Sequence, residues 1–323
     1  MLNRIGRSLA ASLLLGIAAF SGAQPYPDKP VRLVVPYPAG TATDIFARQI
    51  GPKIAEQLRQ PVVIDNRGGG AAIIGTESVA KSAPDGYTFM LATSQTHAVN
   101  KNLFPKLPYD PVTQFAPVAR LATQVMVLTV NAAFPAKSVA ELVAYAKANP
   151  RTLNFASTGS GTSAHLSGSL FNREANLEAT HVPYKSAAQA LADLVGGQVT
   201  MMFYPYLAVQ PFIQAGRIIA LGTTGAQRSS YLPTIPTLTE SGYPNVVVTV
   251  WFAVYAPAGT PRRMVDTMAA ALAKTVSDPE ILRAFAATGT DASYAGPDEL
   301  AAFTRTEIER YRKIVEVSGA KAE

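Results

Sequence analysis

A chain of 323 residues reads as two lobes at roughly 150 residues per compact unit, and an apolar fraction of 48% against 15% charged excludes a disordered or coiled-coil chain. No cysteine is present, which removes disulfides, thiolate metal sites and cysteine nucleophiles. Three histidines dispersed along the sequence leave little for a zinc or haem centre, so neither a metal nor a cofactor is expected. The net charge of +6 suits either a nucleic-acid binder or a protein that attracts anions.

The N-terminal residues decide between those two. Arg4 and Arg7 precede an apolar stretch over 9–20, and Ser21, Gly22 and Ala23 supply the small residues a signal peptidase reads. This predicts a cleaved leader over 1–23 and a periplasmic chain. The stretch would cover about 18 Å of a ~30 Å hydrocarbon core, too short for a retained anchor. Export argues against nucleic acid as a partner, as does the thin spread of basic residues, with no run longer than Arg262-Arg263.

A β-branched run at 31–35 ends in Pro36-Tyr37-Pro38-Ala39-Gly40 and leads into a helical pattern over 43–58, with Thr43 expected as its N-cap. A strand at 62–64, a glycine-rich turn, a helix over 73–80 and a strand at 87–92 complete a βαβαβ rhythm, the mark of a parallel sheet covered by helices. The rhythm resumes with strands at 125–130, 153–156, 180–182 and 199–203, and helices after Ser138, after Gly161 and over 187–194. A long strand at 246–256 carries Trp251, and two or three helices opened by prolines, over 261–277, 279–287 and 297–318, follow without evident strand partners and are expected to return over the first lobe. The predicted organisation is a leader at 1–23, one lobe from 24–124 plus 249–323, and a second lobe from 125–248. Crossovers fall near 124 and 248, and a ligand cleft is expected between the lobes.

In open α/β sheets ligands sit beyond the carboxyl ends of strands, where helix N-termini present free amides. Four such junctions are rich in Gly, Ser and Thr: 36–44, 65–75, 93–97 and 157–165. The strongest, Ser157-Thr158-Gly159-Ser160-Gly161-Thr162-Ser163-Ala164-His165, offers hydroxyls and amides without formal charge, the chemistry of an anion cradle. His165 either faces the cleft or packs beneath it. Asp44 either complements the dipole of its helix or meets the ligand. The 65–75 turn has no lysine after its glycines and breaks the Gly-x-Gly-x-x-Gly frame at Ile73, so it reads as structural. No Gly-x-Ser-x-Gly elbow occurs, because Thr158 stands two before Ser160. A secreted hydrolase pairing a serine of 157–163 with His165 is the rival from another class, and no catalytic residue is assigned.

Across the residues beyond the leader the sequence resembles the Bug family, the extracytoplasmic solute-binding proteins of tripartite tricarboxylate transporters. The likeness is carried by Tyr26-Pro27-Asp28-Lys29-Pro30, Pro36-Tyr37-Pro38-Ala39-Gly40 with Asp44, and Asp65-Asn66-Arg67. It extends through Ala83-Pro84-Asp85-Gly86-Tyr87, Lys106-Leu107-Pro108-Tyr109-Asp110-Pro111, Asn154-Phe155-Ala156-Ser157, His181-Val182-Pro183-Tyr184-Lys185 and Ala256-Pro257-Ala258-Gly259-Thr260-Pro261. The resemblance implies a two-lobed type II periplasmic-binding-protein fold, each lobe a mixed sheet flanked by helices. It further implies a monomer that closes on a small carboxylate and delivers it to a two-component membrane permease, with no enzymatic activity. By that resemblance the ligand residues are Tyr37, Ala39, Gly40, Asp44, Thr93, Ser94, Thr96, Ser157, Gly159, Gly161, Thr162 and Tyr184. Thr158 and His165 join them from the loop, and two departures from the family pattern add Thr41 and Tyr204. Thr41 stands where many members have a second glycine, and Tyr204 where many have an aspartate that could pair with an ammonium. The tyrosine favours an aromatic diacid of the terephthalate type, ahead of succinate, adipate or citrate.

Overall fold

The computed structural model describes residues 26–321; the leader expected over 1–23 lies outside them. Among the described residues no helix is long and apolar enough to cross a membrane. β1 (Val31–Val35), β2 (Val62–Asn66) and β3 (Thr88–Thr93) pair in parallel around β1, and every residue of β3 is buried, as a strand covered on both faces requires. α1 (Ala42–Leu58) and α2 (Ile73–Ala80) make the crossovers. After β3 comes a π-helical turn, Gln95–Val99, running into the short α3 (Asn100–Leu103).

β4 (Phe115–Asn131) is far longer than the strand expected at 125–130, and it belongs to both halves of the molecule. Its first part pairs antiparallel with β9 (Thr249–Pro257) and β10 (Thr290–Ala295), its last part with β7 (Met201–Pro205) and β8 (Ile218–Thr223). The remaining elements are α4 (Val139–Ala148), β5 (Asn154–Ser157), α5 (Ser163–Glu174), β6 (Thr180–Pro183), α6 (Ala187–Val195) and α7 (Tyr206–Gln214), then α8 (Arg262–Val276), α9 (Pro279–Ala287) and α10 (Pro297–Ser318). The strand order β2-β1-β3-β9-β4-β7-β5-β6 thus runs through two covered half-sheets joined at β4, a two-lobed mixed α/β fold.

Three expectations need correction. The cap of α1 is Thr41 and not Thr43: its hydroxyl accepts from the Asp44 amide at 3.4 Å. The C-terminal helices are not without a strand, because β10 inserts between α9 and α10 and pairs with β4. Its exposed alternate residues and its dependence on a partner 170 positions away left only a weak local pattern. Finally, α10 does not merely cover one lobe. Its Tyr311, Ile314 and Val315 share a core with Trp251 and Met90 on one side and Leu128 and Phe203 on the other. There Trp251 donates its indole N–H to Glu307 at 3.0 Å, while Arg310 binds both Glu307 oxygens and the Val247 carbonyl.

Candidate functional site

A cavity of about 380 Å³ opens between the half-sheets, and none of its lining side chains carries a formal charge. Two helix N-termini enter it from opposite lobes. Thr41, Ala42 and Thr43 at the start of α1 line one side, and Thr162, Ser163 and Ala164 at the start of α5 line the other. The amides of the first helical turn have no intrahelical acceptor, and the dipole adds about half a positive charge at each end.

The two mouths share one construction. In each, a glycine of positive φ precedes a threonine cap: Gly40 (φ 81°) before Thr41, Gly161 (φ 74°) before Thr162. Each cap hydroxyl accepts the amide three residues on, at 3.4 Å in both cases. The side chain at that third residue reaches back to the glycine amide. Gly40 N–H donates to Asp44 Oδ2 at 2.8 Å, and Gly161 N–H donates to His165 Nδ1 at 3.1 Å. These are variants of the capping box, in which cap and third residue satisfy one another's amides.

The first mouth is braced by charge. Arg48 donates to Asp44 at 3.0 Å, Asn66 donates to its other oxygen at 2.9 Å and also to the Tyr37 carbonyl at 3.2 Å. The Arg48 guanidinium, with help from the Gly40 amide and Asn66, holds the Asp44 carboxyl down at about 2. The glycine-rich turn backs this loop. A Cβ on Gly68 would lie 2.7 Å from Pro38, and one on Gly75 would lie 2.4 Å from the Arg67 carbonyl. That is a packing role, although Ala71 of the same turn does line the cavity.

Across the floor, the Tyr37 hydroxyl meets Thr93 Oγ1 at 2.7 Å, and desolvation raises the Tyr37 pKa. Thr96 is buried one layer deeper and closes the turn through the Thr93 amide and carbonyl. Ser94 Oγ is buried at the wall beside Tyr311. Tyr204 lines the wall with Met126, Pro205, Val250 and Phe252, and burial pushes its hydroxyl pKa upward.

Of the residues expected at the site, Tyr37, Thr41, Thr93, Ser94, Thr158, Thr162 and Tyr204 line the cavity. Ala39, Gly40, Gly159 and Gly161 shape the two loops without lining it. Asp44, Thr96, Ser157 and His165 lie behind the surface with their polar atoms engaged, and the partly exposed Tyr184 does not line the cavity either. The Tyr184 hydroxyl donates to Asp193 at 2.7 Å, tying the end of β6 to α6. His165 packs beneath its loop and does not face the cleft, because its Nδ1 is held by the Gly161 amide. The serine that meets a histidine is Ser157, with His181 at 2.7 Å, and it is fully buried. His165 therefore does not form the serine pair that the hydrolase reading requires.

Sequence reasoning missed Gln124, Met126, Val250 and Phe252. They sit where the chain crosses between lobes, and the crossovers expected near 124 and 248 were the available signal. Gln124 spends its amide N–H on the Thr288 carbonyl at 3.1 Å and on Thr290.

Comparison with known proteins agrees with this arrangement. Residues 46–320 match the Tripartite tricarboxylate transporter family receptor. Protein BugT of Bordetella pertussis is 36% identical over 307 residues, covering 95% of this chain and 94% of BugT. A solved structure of an R. palustris protein with adipate is 35% identical, with a TM-score of 0.82 over 92% of this chain and 99% of that one. MatC from Rhodopseudomonas palustris with bound malate is 32% identical, with a TM-score of 0.77 over 90% of this chain and 100% of that one. The chain belongs to the tripartite tricarboxylate transporter family receptors, the Bug group of periplasmic solute-binding proteins.

Proposed function

We propose that the cleft captures a small dicarboxylate in the periplasm, after removal of the leader over 1–23, and that a monomer hands it to a two-component permease of the tripartite tricarboxylate type. The observation that carries this reading is the pair of threonine-capped helix mouths entering one uncharged cavity from opposite sides. Each mouth offers free first-turn amides to one carboxylate, the cap hydroxyls of Thr41 and Thr162 already donating to the Pro38 and Gly159 carbonyls at 2.9 and 2.8 Å, while Met126, Val250 and Phe252 between them suit an apolar spacer. A ligand that bridges both mouths makes more contacts in a closed form, so its differential affinity for that form draws the lobes together. The lobes in this proposal are 24–124 with 249–323, and 125–248.

Tyr204 and Phe252 on the wall favour a ring between the two carboxylates, as in terephthalate. The adipate and malate bound by the two relatives favour a second reading, an aliphatic diacid used for transport or sensing. Thermal unfolding of residues 24–323 against terephthalate, phthalate, benzoate, succinate, adipate, malate and citrate separates the two. A ligand at 100 times its dissociation constant stabilises by about 2.7 kcal/mol, a shift of several degrees. Terephthalate is expected to give the largest shift, and Tyr204→Ala to diminish it more than that of adipate. A larger shift with aliphatic acids would remove the aromatic preference, and no shift with any acid would sink the dicarboxylate reading.

A further inference from the structure

The second mouth is built on a cluster of three rings. His165 from α5 stacks on His181 from β6, with ring centroids 4.0 Å apart and planes 21° apart, and Phe155 from β5 lies 5.0 Å from His181. Gly168 makes room for this, since a Cβ there would lie 2.3 Å from the Phe155 ring. The two imidazoles hold opposite ends of the loop that forms the mouth. His181 Nε2 meets the Ser157 hydroxyl at 2.7 Å, and that hydroxyl receives the Gly159 amide at 3.1 Å. His165 Nδ1 receives the Gly161 amide at 3.1 Å.

The comparison with the first mouth explains why an imidazole stands here. Asp44 makes the same bond to Gly40, and its negative charge is offset by Arg48 at 3.0 Å. Among the described residues His165 makes no ion pair of this kind, and what faces it is the other imidazole. An anionic acceptor at this position would sit behind an anion cradle and oppose it. A neutral imidazole receives the amide and leaves the dipole of α5 unopposed. We propose that His165 and His181 are positioning residues that hold the 157–162 loop in its carboxylate-receiving shape as a stacked pair, with His165 acting as an uncharged acceptor. The claim about affinity rests on the dicarboxylate reading of the cleft, whereas the claim about the loop does not.

His165 is faced by His181 from β6, by Phe155 from β5 and by the Gly161 amide from its own loop. Protonation of Nδ1 would turn the acceptor into a donor pointing at an N–H. Burial, reinforced by His181, lowers the His165 pKa to about 4.

The test measures terephthalate and adipate affinity, melting temperature and amide exchange at Gly161 in the wild type, His165→Phe, His165→Asn, His165→Gln and His165→Asp. Asn places an oxygen near the Nδ1 position, Gln does not, Phe keeps the ring without the acceptor, and Asp keeps the acceptor with a charge. Affinity is expected within about threefold of wild type in the Asn variant and at least tenfold weaker in the Phe, Gln and Asp variants. The ratio of wild-type to Asn-variant dissociation constants should be flat above pH 6 and rise towards pH 4; the ratio cancels protonation of the ligand itself. Equal affinity in all variants, or equal loss in Asn and Gln, overturns the proposal. If Phe does not fold, the Asn and Gln comparison decides. If the wild type binds neither probe, the dicarboxylate reading falls, and Gly161 exchange still decides for the loop. Protection kept in Asn and lost in Gln supports positioning; protection unchanged in both removes it.

Discussion

The two mouths of the cleft have one backbone plan and two kinds of support, and the difference separates what a cap does from what holds a cap in place. At the first mouth Asp44, Arg48 and Asn66 form an ionic brace whose arginine reaches the surface. At the second, stacked imidazoles do the same task without an ion pair in reach among the described residues. Space differs as well. A Cβ on Gly40 would meet nothing within 4 Å, whereas one on Gly161 would lie 2.3 Å from Leu103 of α3. The first loop is free on its outer side, and the second is pressed against the opposite lobe.

Valine at each glycine should make that contrast largest. Gly161→Val combines left-handed strain with a collision against Leu103, and is expected to cost about 3 kcal/mol or more and to abolish binding. Gly40→Val faces only the strain, about 1–2 kcal/mol. Melting temperatures of the two variants check this, and equal losses would mean that the Leu103 contact is unimportant.

Acid titration of stability sharpens the comparison next. In the folded chain His165 takes its proton only at about pH 4, while the unfolded chain takes it near 6.5. The unfolded state therefore binds more protons as pH falls, and stability declines between pH 6.5 and 4, by up to about 3 kcal/mol for this group. Asp44 acts in a lower window: its carboxyl is held at about 2 against an ordinary 3.8, so its contribution is complete above 3.8 and lost as pH falls through 2. His165→Asn is expected to flatten the upper decline and Asp44→Asn the lower one, as read by chemical denaturation at each pH. A variant that flattened the other window would reverse the assignment.

The smallest effect concerns the caps themselves. Thr41→Ala and Thr162→Ala should each cost about 1 kcal/mol of stability. Each should also weaken a diacid more than a monoacid, because the diacid alone uses both mouths. If either substitution left the diacid-to-monoacid ratio unchanged, that mouth would not be receiving a carboxylate.

Much of the site was legible residue by residue. The Gly-Thr-x-x-Asp of 40–44 and the Gly-Thr-x-x-His of 161–165 are local signals, and both junctions stood out for their small and hydroxylic residues. What local reading could not separate was lining from support. Asp44, Thr96 and Ser157 have side chains suited to a ligand, and all three are buried, with their hydrogen bonds turned into the protein. Three histidines read as dispersed, yet two of them stack, because β6 runs beside β5 and brings position 181 under position 165.

The sequence by itself determined the strand-to-helix rhythm, the places where helices begin and the family, since each depends on neighbours within a few positions. Only the tertiary structure decided that β4 runs through both half-sheets, that β10 exists, and that α10 packs into a core shared by both. It also decided that Gln124, Met126, Val250 and Phe252 form the wall between the mouths. Those features arise from pairing and packing between segments far apart in the sequence, and no local pattern of side chains encodes which distant partner a strand will meet.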